Sequence, residues 1–303
     1  MSSISGCPTN KAELYRQLAA LPAWIPKTFL VSSKKERVCK TTFAYQEFSG
    51  ELPPGSFIEV APDLAVATPE FLFVELARSL DVPLLVKLGC ELCGTYSPYR
   101  YLGKKPIERE EPLTTIAALE RYLAHAGNMH GVKRARRALK YILEGSASVK
   151  ETEMALLLSM PKIWGGYGLE KPVMNYKIPF DTDAKIMAEQ GYAKADLCWP
   201  EHKLDVEYDS TEYHSQTTDI LHDKTRANGV SKMGYRVIFV TYEQFKNPEV
   251  FDAIARSIAR ELGTPLREYP ASSDYQRYDL RDAFARSDRL DIFDSGLLER
   301  ATR

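Results

Sequence analysis

The run ADLCWPEHKLDVEYD, residues 195 to 209, holds two apolar-rich segments, Ala195–Trp199 and Leu204–Asp209, joined by the tight polar connection Pro200–Lys203. That pattern predicts a β-hairpin. Side chains of a strand alternate between faces, so Leu204, Val206 and Tyr208 point one way while Asp205, Glu207 and Asp209 share the other. Neighbouring carboxylates repel one another, which raises a pKa or calls for a counter-charge, and beside a core a divalent cation is the simplest one. Asp196 lies on the adjoining strand, where cross-strand pairing brings its carboxylate toward the same edge. Asp196, Glu207 and Asp209 thus form a candidate set of hard oxygen ligands for Mg²⁺ or Mn²⁺. An ion held there would polarise a phosphodiester and lower the pKa of a bound water. A solvated hairpin face carrying acids for solubility is the competing reading.

Outward from the hairpin the pattern continues as alternating elements. Upstream, Ser148 and Glu151 have the S-x-x-E spacing of a capping box ahead of a helix through Ala155–Leu158 that Pro161 closes. A turn rich in glycine (Gly165, Gly166, Gly168) precedes a strand over Val173–Pro179. Downstream, a helix is expected from Thr218 to Met233, stopped by Gly234, followed by Val237–Val240, whose wholly apolar run predicts a buried strand. Thr241 and Gln244 offer a second capping pair. Phe251, Ile254, Ala255, Ile258, Ala259 and Leu262 fall on one helical stripe ended by Gly263 and Pro265. The order α-β-β-β-α-β-α predicts an α/β fold, a mixed sheet flanked by helices.

The N-terminal part predicts a smaller α+β module. Short strand-like runs occur at Phe29–Ser32 and Phe57–Val60, Thr68-Pro69-Glu70 opens a helix, and a second helix is expected over Pro83–Leu88 with Gly89 as its stop. The charged, proline-bearing segment Gly103–Pro112 marks a link. Helices follow over Thr114–Ala126 and Val132–Leu143. The expected division is therefore residues 1–104, a helical connector 105–147, the mixed-sheet domain 148–263 and a C-terminal appendage 264–303. On the connector, Lys133, Arg134, Arg136, Arg137 and Lys140 form a basic stripe that suits phosphate contacts, as well as an ordinary solvated helix face. Cys90 and Cys93 have knuckle spacing without a matching second pair and read as core.

Composition bounds the possibilities. The 303 residues are 44% hydrophobic and 27% charged, which excludes collagen, wholesale disorder and a disulfide scaffold. Forty Lys and Arg stand against 41 Asp and Glu, a net charge of -1, so any nucleic-acid contact needs a local patch. Five cysteines, and an opening MSSISGCPTNK without an apolar signal region, lead us to expect a cytoplasmic protein with no membrane partner.

Taken in order, Asp196, Glu207-x-Asp209, His214, Asp223-x-x-Arg226, Gly234 and the strand RVIFVT at 236–241 resemble the very-short-patch repair endonuclease and its small relatives within the PD-(D/E)xK restriction-endonuclease-like superfamily. The similarity covers about Ser148 to Leu262. It implies a Mg²⁺- or Mn²⁺-dependent endonuclease acting on DNA, in phage defence or repair. Asp196 would be the main metal ligand, Glu207 and Asp209 would complete the cluster, Glu151 would be an accessory acid, and His214 a general base or phosphate contact. Ser210 stands where those relatives carry Gly, and Asp209 stands at the place of the superfamily's lysine, so charge stabilisation would fall to His214, Lys224 or Arg226. The N-terminal module is loosely similar to type IV abortive-infection antitoxins and transcriptional-regulator-like proteins, which implies a protein- or DNA-recognition role. A non-catalytic regulator that uses a nuclease-like fold as a binding surface is the alternative.

Overall fold

The computed structural model describes residues 28–31, 44–47, 51–61, 64–97, 107–209, 217–266 and 272–287. The chain forms two compact units, one from Met1–Leu85, Ala117–Arg137 and Ala285–Arg303, the other from Val86–Ile116 and Ala138–Phe284. This division is not the linear one expected from composition, because helical segments between residues 86 and 138 alternate between the units.

In the first unit, β1 (Thr28–Val31) pairs in parallel with β2 (Ala44–Glu47), and β3 (Phe57–Ala61) forms a hairpin with β4 (Leu64–Ala67). Helix α1 (Pro69–Leu76) starts as its sequence predicts: the Thr68 hydroxyl accepts from the Phe71 N–H and Pro69 occupies the first turn. Phe71, Phe73 and Val74 are buried. Ser56 and Tyr122 share a hydrogen bond of 2.8 Å between their hydroxyls. Helix α2 (Val82–Leu92) runs through Gly89 rather than stopping there. The penalty of about 1 kcal/mol for a mid-helix glycine is outweighed by burial of Leu85, Val86 and Cys90.

Helices α3 (Ile116–His125) and α4 (Val132–Leu139) belong to the first unit for all but their outer ends, while the second unit holds the short pair β5 (Tyr96–Ser97) and β6 (Ile107–Glu108). Helix α5 (Val149–Ser159) is buried over Glu151–Leu158, on every face, as befits a central helix. The mixed sheet follows: β7 (Val173–Pro179), β8 (Tyr192–Trp199), β9 (Leu204–Asp209) and β10 (Arg236–Thr241), in spatial order β10-β9-β8-β7. The β7–β8 and β8–β9 pairs are antiparallel and β9–β10 is parallel. The parallel pair requires a crossover, supplied by α7 (Thr217–Lys232). The predicted hairpin is present: a 3₁₀ turn at Pro200–His202 leads to Lys203 in the left-handed region.

Several expectations change. A helix α6 (Thr182–Ala188), capped by Asp181, lies between β7 and β8, where we expected none; its seven residues carry no long apolar period. Ala184 and Ala188 join Ile178, Phe180, Ala193, Ala195, Cys198 and Val230 in one core cluster. Strand β10 lies at the end of the sheet order; Val240 is buried but Phe239 is 52% exposed, so its apolar run is not that of a fully covered strand. Helices α8 (Tyr242–Lys246) and α9 (Pro248–Glu261) follow, the first with the full Thr241–Gln244 capping box and the second with the expected buried stripe.

The C-terminal stretch is more than an appendage. Helix α10 (Ser272–Ser287) buries Leu280 and Phe284, and Arg277 pairs with Asp252. Arg281 lies over the rings of Phe251 and Phe245, at 4.7 and 5.5 Å. The glycine-rich turn receives this helix: a Cβ on Gly165 would come within 2.2 Å of the Gln276 carbonyl oxygen. Lys87, almost fully buried, donates to Glu153 at 3.1 Å and to the Phe284 carbonyl at 3.3 Å.

Candidate functional site

The hairpin places its acids as the alternation of strand faces requires. Asp196 on β8 accepts a hydrogen bond of 2.8 Å from the Tyr208 N–H of β9. Two residues before Tyr208's neighbour Glu207 comes Asp205, opposite Cys198 in the β8–β9 register and opposite Val237 in the β9–β10 register. Glu207 is 7% exposed and its Oε1 lies 3.2 Å from Nη1 of Arg226, which α7 supplies. The same Nη1 donates to the Lys194 carbonyl at 3.0 Å, so Arg226 is held by β8 while it faces the acid on β9.

Asp205 has no solvent exposure, and neither of its carboxylate oxygens meets a hydrogen-bond donor among the described residues. Its carboxyl lies beside that of Glu207; only when one of the two carries a proton do they hydrogen-bond to each other. Burial, first of all, pushes Asp196 up to about 8, with the charges of Glu151 and Glu207 adding to it and the Tyr208 N–H and Arg226 opposing. Burial likewise pushes Glu207 up to about 8, with Asp205 adding to it, and Asp205 up to about 7. The three carboxyls titrate as one group. Cys198, beside them, is pushed up to about 12 by burial and by Asp205 and Glu207, so it stays a thiol and is no nucleophile at neutral pH.

Glu151 also belongs here. Its Oε2 accepts from the Ala147 N–H at 3.0 Å and from Nδ2 of Asn175 at 2.8 Å, while Ser148 Oγ accepts from the Glu151 N–H at 3.1 Å. The capping box expected at this helix is thus only half realised, with the carboxylate reaching Ala147 instead of Ser148. Asn175 is the residue that sequence reasoning missed. It has φ of 51°, in the left-handed region, and its Nδ2 also donates to the Gly145 carbonyl at 3.0 Å. The β7–β8 register runs from Met174↔Leu197 to Tyr176↔Ala195, so the skipped position sets Asn175 against Asp196. A lone Asn inside the strand pattern VMNYK was the available signal, since Asn is depleted in strands and tolerates positive φ.

Asp209 ends β9 opposite Thr241 and is half-buried; the charges that act on Asp196, Asp205 and Glu207 are those of one another, Glu151 and Arg226. His214 and Ser210 lie outside the described residues, as do the side chains of Asp223 and Lys224. The basic stripe is partly occupied within the first unit. Arg134 Nη1 donates to the carbonyls of Ala77, Arg78 and Leu80 at 2.9, 3.2 and 2.8 Å, and Arg136 Nη2 to that of Leu123 at 2.8 Å. These two guanidiniums satisfy carbonyls left over at the ends of α1 and α3, a structural task that the phosphate reading did not foresee. Lys133, Arg137 and Lys140 are exposed. Cys90 and Cys93 are free, buried thiols, and Cys90 accepts from the Leu143 N–H at 3.2 Å.

Among the described residues, no group of three His, Cys, Asp or Glu side chains stands already arranged around a metal position. The donor set still has the chemistry of a hard-cation site: carboxylates only, Asp205 and Glu207 buried and Asp196 half-buried, with Asp205 lacking any donor among the described residues. Arg226 is the cation facing Glu207 in this arrangement.

No protein-family model matches the chain, and no solved structure matches it. It is similar to uncharacterized proteins from two strains of Mycobacterium tuberculosis, 24% identical over 148 residues in each case, 48% of this chain and 48% of theirs. The chain therefore spans about half the length of the curated relatives it matches. No helix among the described residues is long and apolar enough to cross a membrane.

Proposed function

We propose that the second unit is a metal-dependent nuclease domain acting on DNA, with Asp196 and Glu207 at its centre. One observation carries this reading: three carboxyls on one hairpin, fully buried Asp205, buried Glu207 and half-buried Asp196, which is held by the Tyr208 N–H. A fold has no reason of stability to bury mutually repelling acids, and such groups cluster at functional sites. The resemblance to PD-(D/E)xK endonucleases supports the assignment of DNA as substrate. Asp196 and Glu207 would hold Mg²⁺ or Mn²⁺, which when bound would polarise the phosphodiester and acidify an attacking water. Asn175 and the Ala147 N–H hold Glu151 beside Asp196, and the Tyr208 N–H orients Asp196 itself. Arg226 is placed to move from Glu207 to a phosphate oxygen, and Lys224 and His214 are the further cationic candidates. Lys133, Arg137 and Lys140 would add phosphate contacts, and the first unit would choose the DNA target or a protein partner.

Cleavage of plasmid and oligonucleotide DNA with Mg²⁺ or Mn²⁺ tests this, comparing the wild type with Asp196→Asn. Metal-dependent nicking by the wild type alone is expected; no cleavage by either protein overturns the nuclease reading. A second reading, a non-catalytic defence or toxin–antitoxin regulator, is favoured by the Arg226–Glu207 ion pair, which occupies an acid that a metal would need, and by Asp209 at the place of a catalytic lysine.

A further inference from the structure

We propose that Asp205, not Asp209, is the third cation ligand of this site, so that a divalent ion would sit at the inner end of β9 between Asp196, Asp205 and Glu207. The inference rests on the nuclease reading and deepens it by relocating the cation. Neither the sequence pattern nor the resemblance points to Asp205, because both direct attention to the E-x-D spacing that ends in Asp209.

Three observations carry it. Asp205 is fully buried and both its oxygens lack a donor among the described residues, a state that desolvation makes unfavourable unless a proton or a cation is supplied. Its neighbours supply no cation: its register partners are the Cys198 thiol, which shares a hydrogen bond with the nearby Tyr235 hydroxyl, and Val237, and its side-chain neighbour is the carboxyl of Glu207. Asp196 and Arg226 are the remaining charges that act on it, and Arg226 is already set against Glu207 and the Lys194 carbonyl. Asp209 is half-buried at the last position of β9, so solvent can reach it without an ion. A divalent ion entering between Asp205 and Glu207 would give Asp205 the positive partner that its surroundings do not provide. The three are not arranged around an ion as they stand, but two of them are two residues apart on one face of β9 and the third is held against that strand by the Tyr208 N–H, so all three lie on one side of the sheet.

The test is Mn²⁺ binding to the full-length protein, followed by calorimetry and by electron paramagnetic resonance of free Mn²⁺, with no nucleic acid present. Wild type, Asp196→Asn, Asp205→Asn and Asp209→Asn are compared, with thermal unfolding of each metal-free protein as the check on folding. We expect Asp205→Asn to weaken Mn²⁺ binding by at least about tenfold, as loss of a coordinating group does, and Asp209→Asn to leave it within about threefold. The metal-free Asp205→Asn protein should also melt no lower than wild type, since an uncompensated buried charge has been removed. Should Asp205→Asn lower the melting temperature sharply, Asp205→Ser takes its place in the titration. Wild-type binding that survives Asp205→Asn but is lost in Asp196→Asn or Asp209→Asn overturns the role of Asp205 and leaves the nuclease reading standing. Absence of Mn²⁺ binding by the wild type overturns both.

Discussion

A buried carboxyl with a raised proton affinity makes stability depend on pH in a definite direction. Asp196 and Glu207 at about 8 and Asp205 at about 7 all bind protons more tightly in the folded chain than in the unfolded one, where carboxyls titrate near 4. The folded state therefore holds more protons between these values, and this group's contribution to stability falls as pH rises from about 4 through about 8. We expect the metal-free melting temperature to drop between pH 5 and pH 8.5, and the drop to be shallower in Asp196→Asn, measured by scanning calorimetry across that window. Arg226 acts in the opposite sense by neutralising Glu207. Its removal in Arg226→Gln should steepen the drop and, because it leaves the buried Glu207 without its cation, cost about 3 kcal/mol by urea denaturation at pH 8.5. At this scale the sequence was legible through alternation alone: it put Asp205, Glu207 and Asp209 on one face. It did not rank them, because depth along a strand depends on neighbours from distant segments, here α7 and β10.

An element's ends were easier to read than its surroundings. Thr68, Ser148 and Thr241 cap their helices because each cap is a contact between residues three apart, visible in a short window. Thr241→Ala removes one half of a reciprocal cap at the exit of β10 and should cost about 1 kcal/mol in chemical denaturation. The left-handed residue within β7 left one mark in the sequence, an Asn in a strand pattern, which suggests positive φ but not the hydrogen bond to Glu151 that fixes it there. Asn175→Gly keeps the backbone relaxed but frees Glu151, whereas Asn175→Ala loses the bond and retains the strain. The Ala variant should be the less stable by about 1 kcal/mol in thermal unfolding, while cleavage should fall in both if Glu151 must be held beside Asp196. Strand β10 was misjudged for a related reason: an apolar run reports which residues favour extended structure, but not whether a further layer covers them.

For the molecule as a whole, continuity along the chain was the misleading guide. A break near residue 104 separates charged from apolar composition, yet the first unit is completed by Ala117–Arg137, which brings Tyr122 to Ser56 and Arg134 to the carbonyls of Ala77, Arg78 and Leu80. A fragment of residues 1–104 should accordingly show no cooperative melting by circular dichroism, whereas the full chain should; a sharply melting fragment would restore the linear division. Composition cannot reveal such threading, because it is a property of which surfaces meet and not of what each segment contains. The Lys87 ammonium illustrates the consequence for synthesis. It meets its carbonyl acceptor on Phe284 at a sequence separation of 197 residues. On the ribosome, this lysine must wait for residue 284 to emerge before its environment is complete. The second unit thus closes around Lys87 only after Phe284 has left the exit tunnel, and until then a buried ammonium on a segment made early lacks one of its acceptors, which makes elongation between these two residues the stage at which chaperone engagement matters.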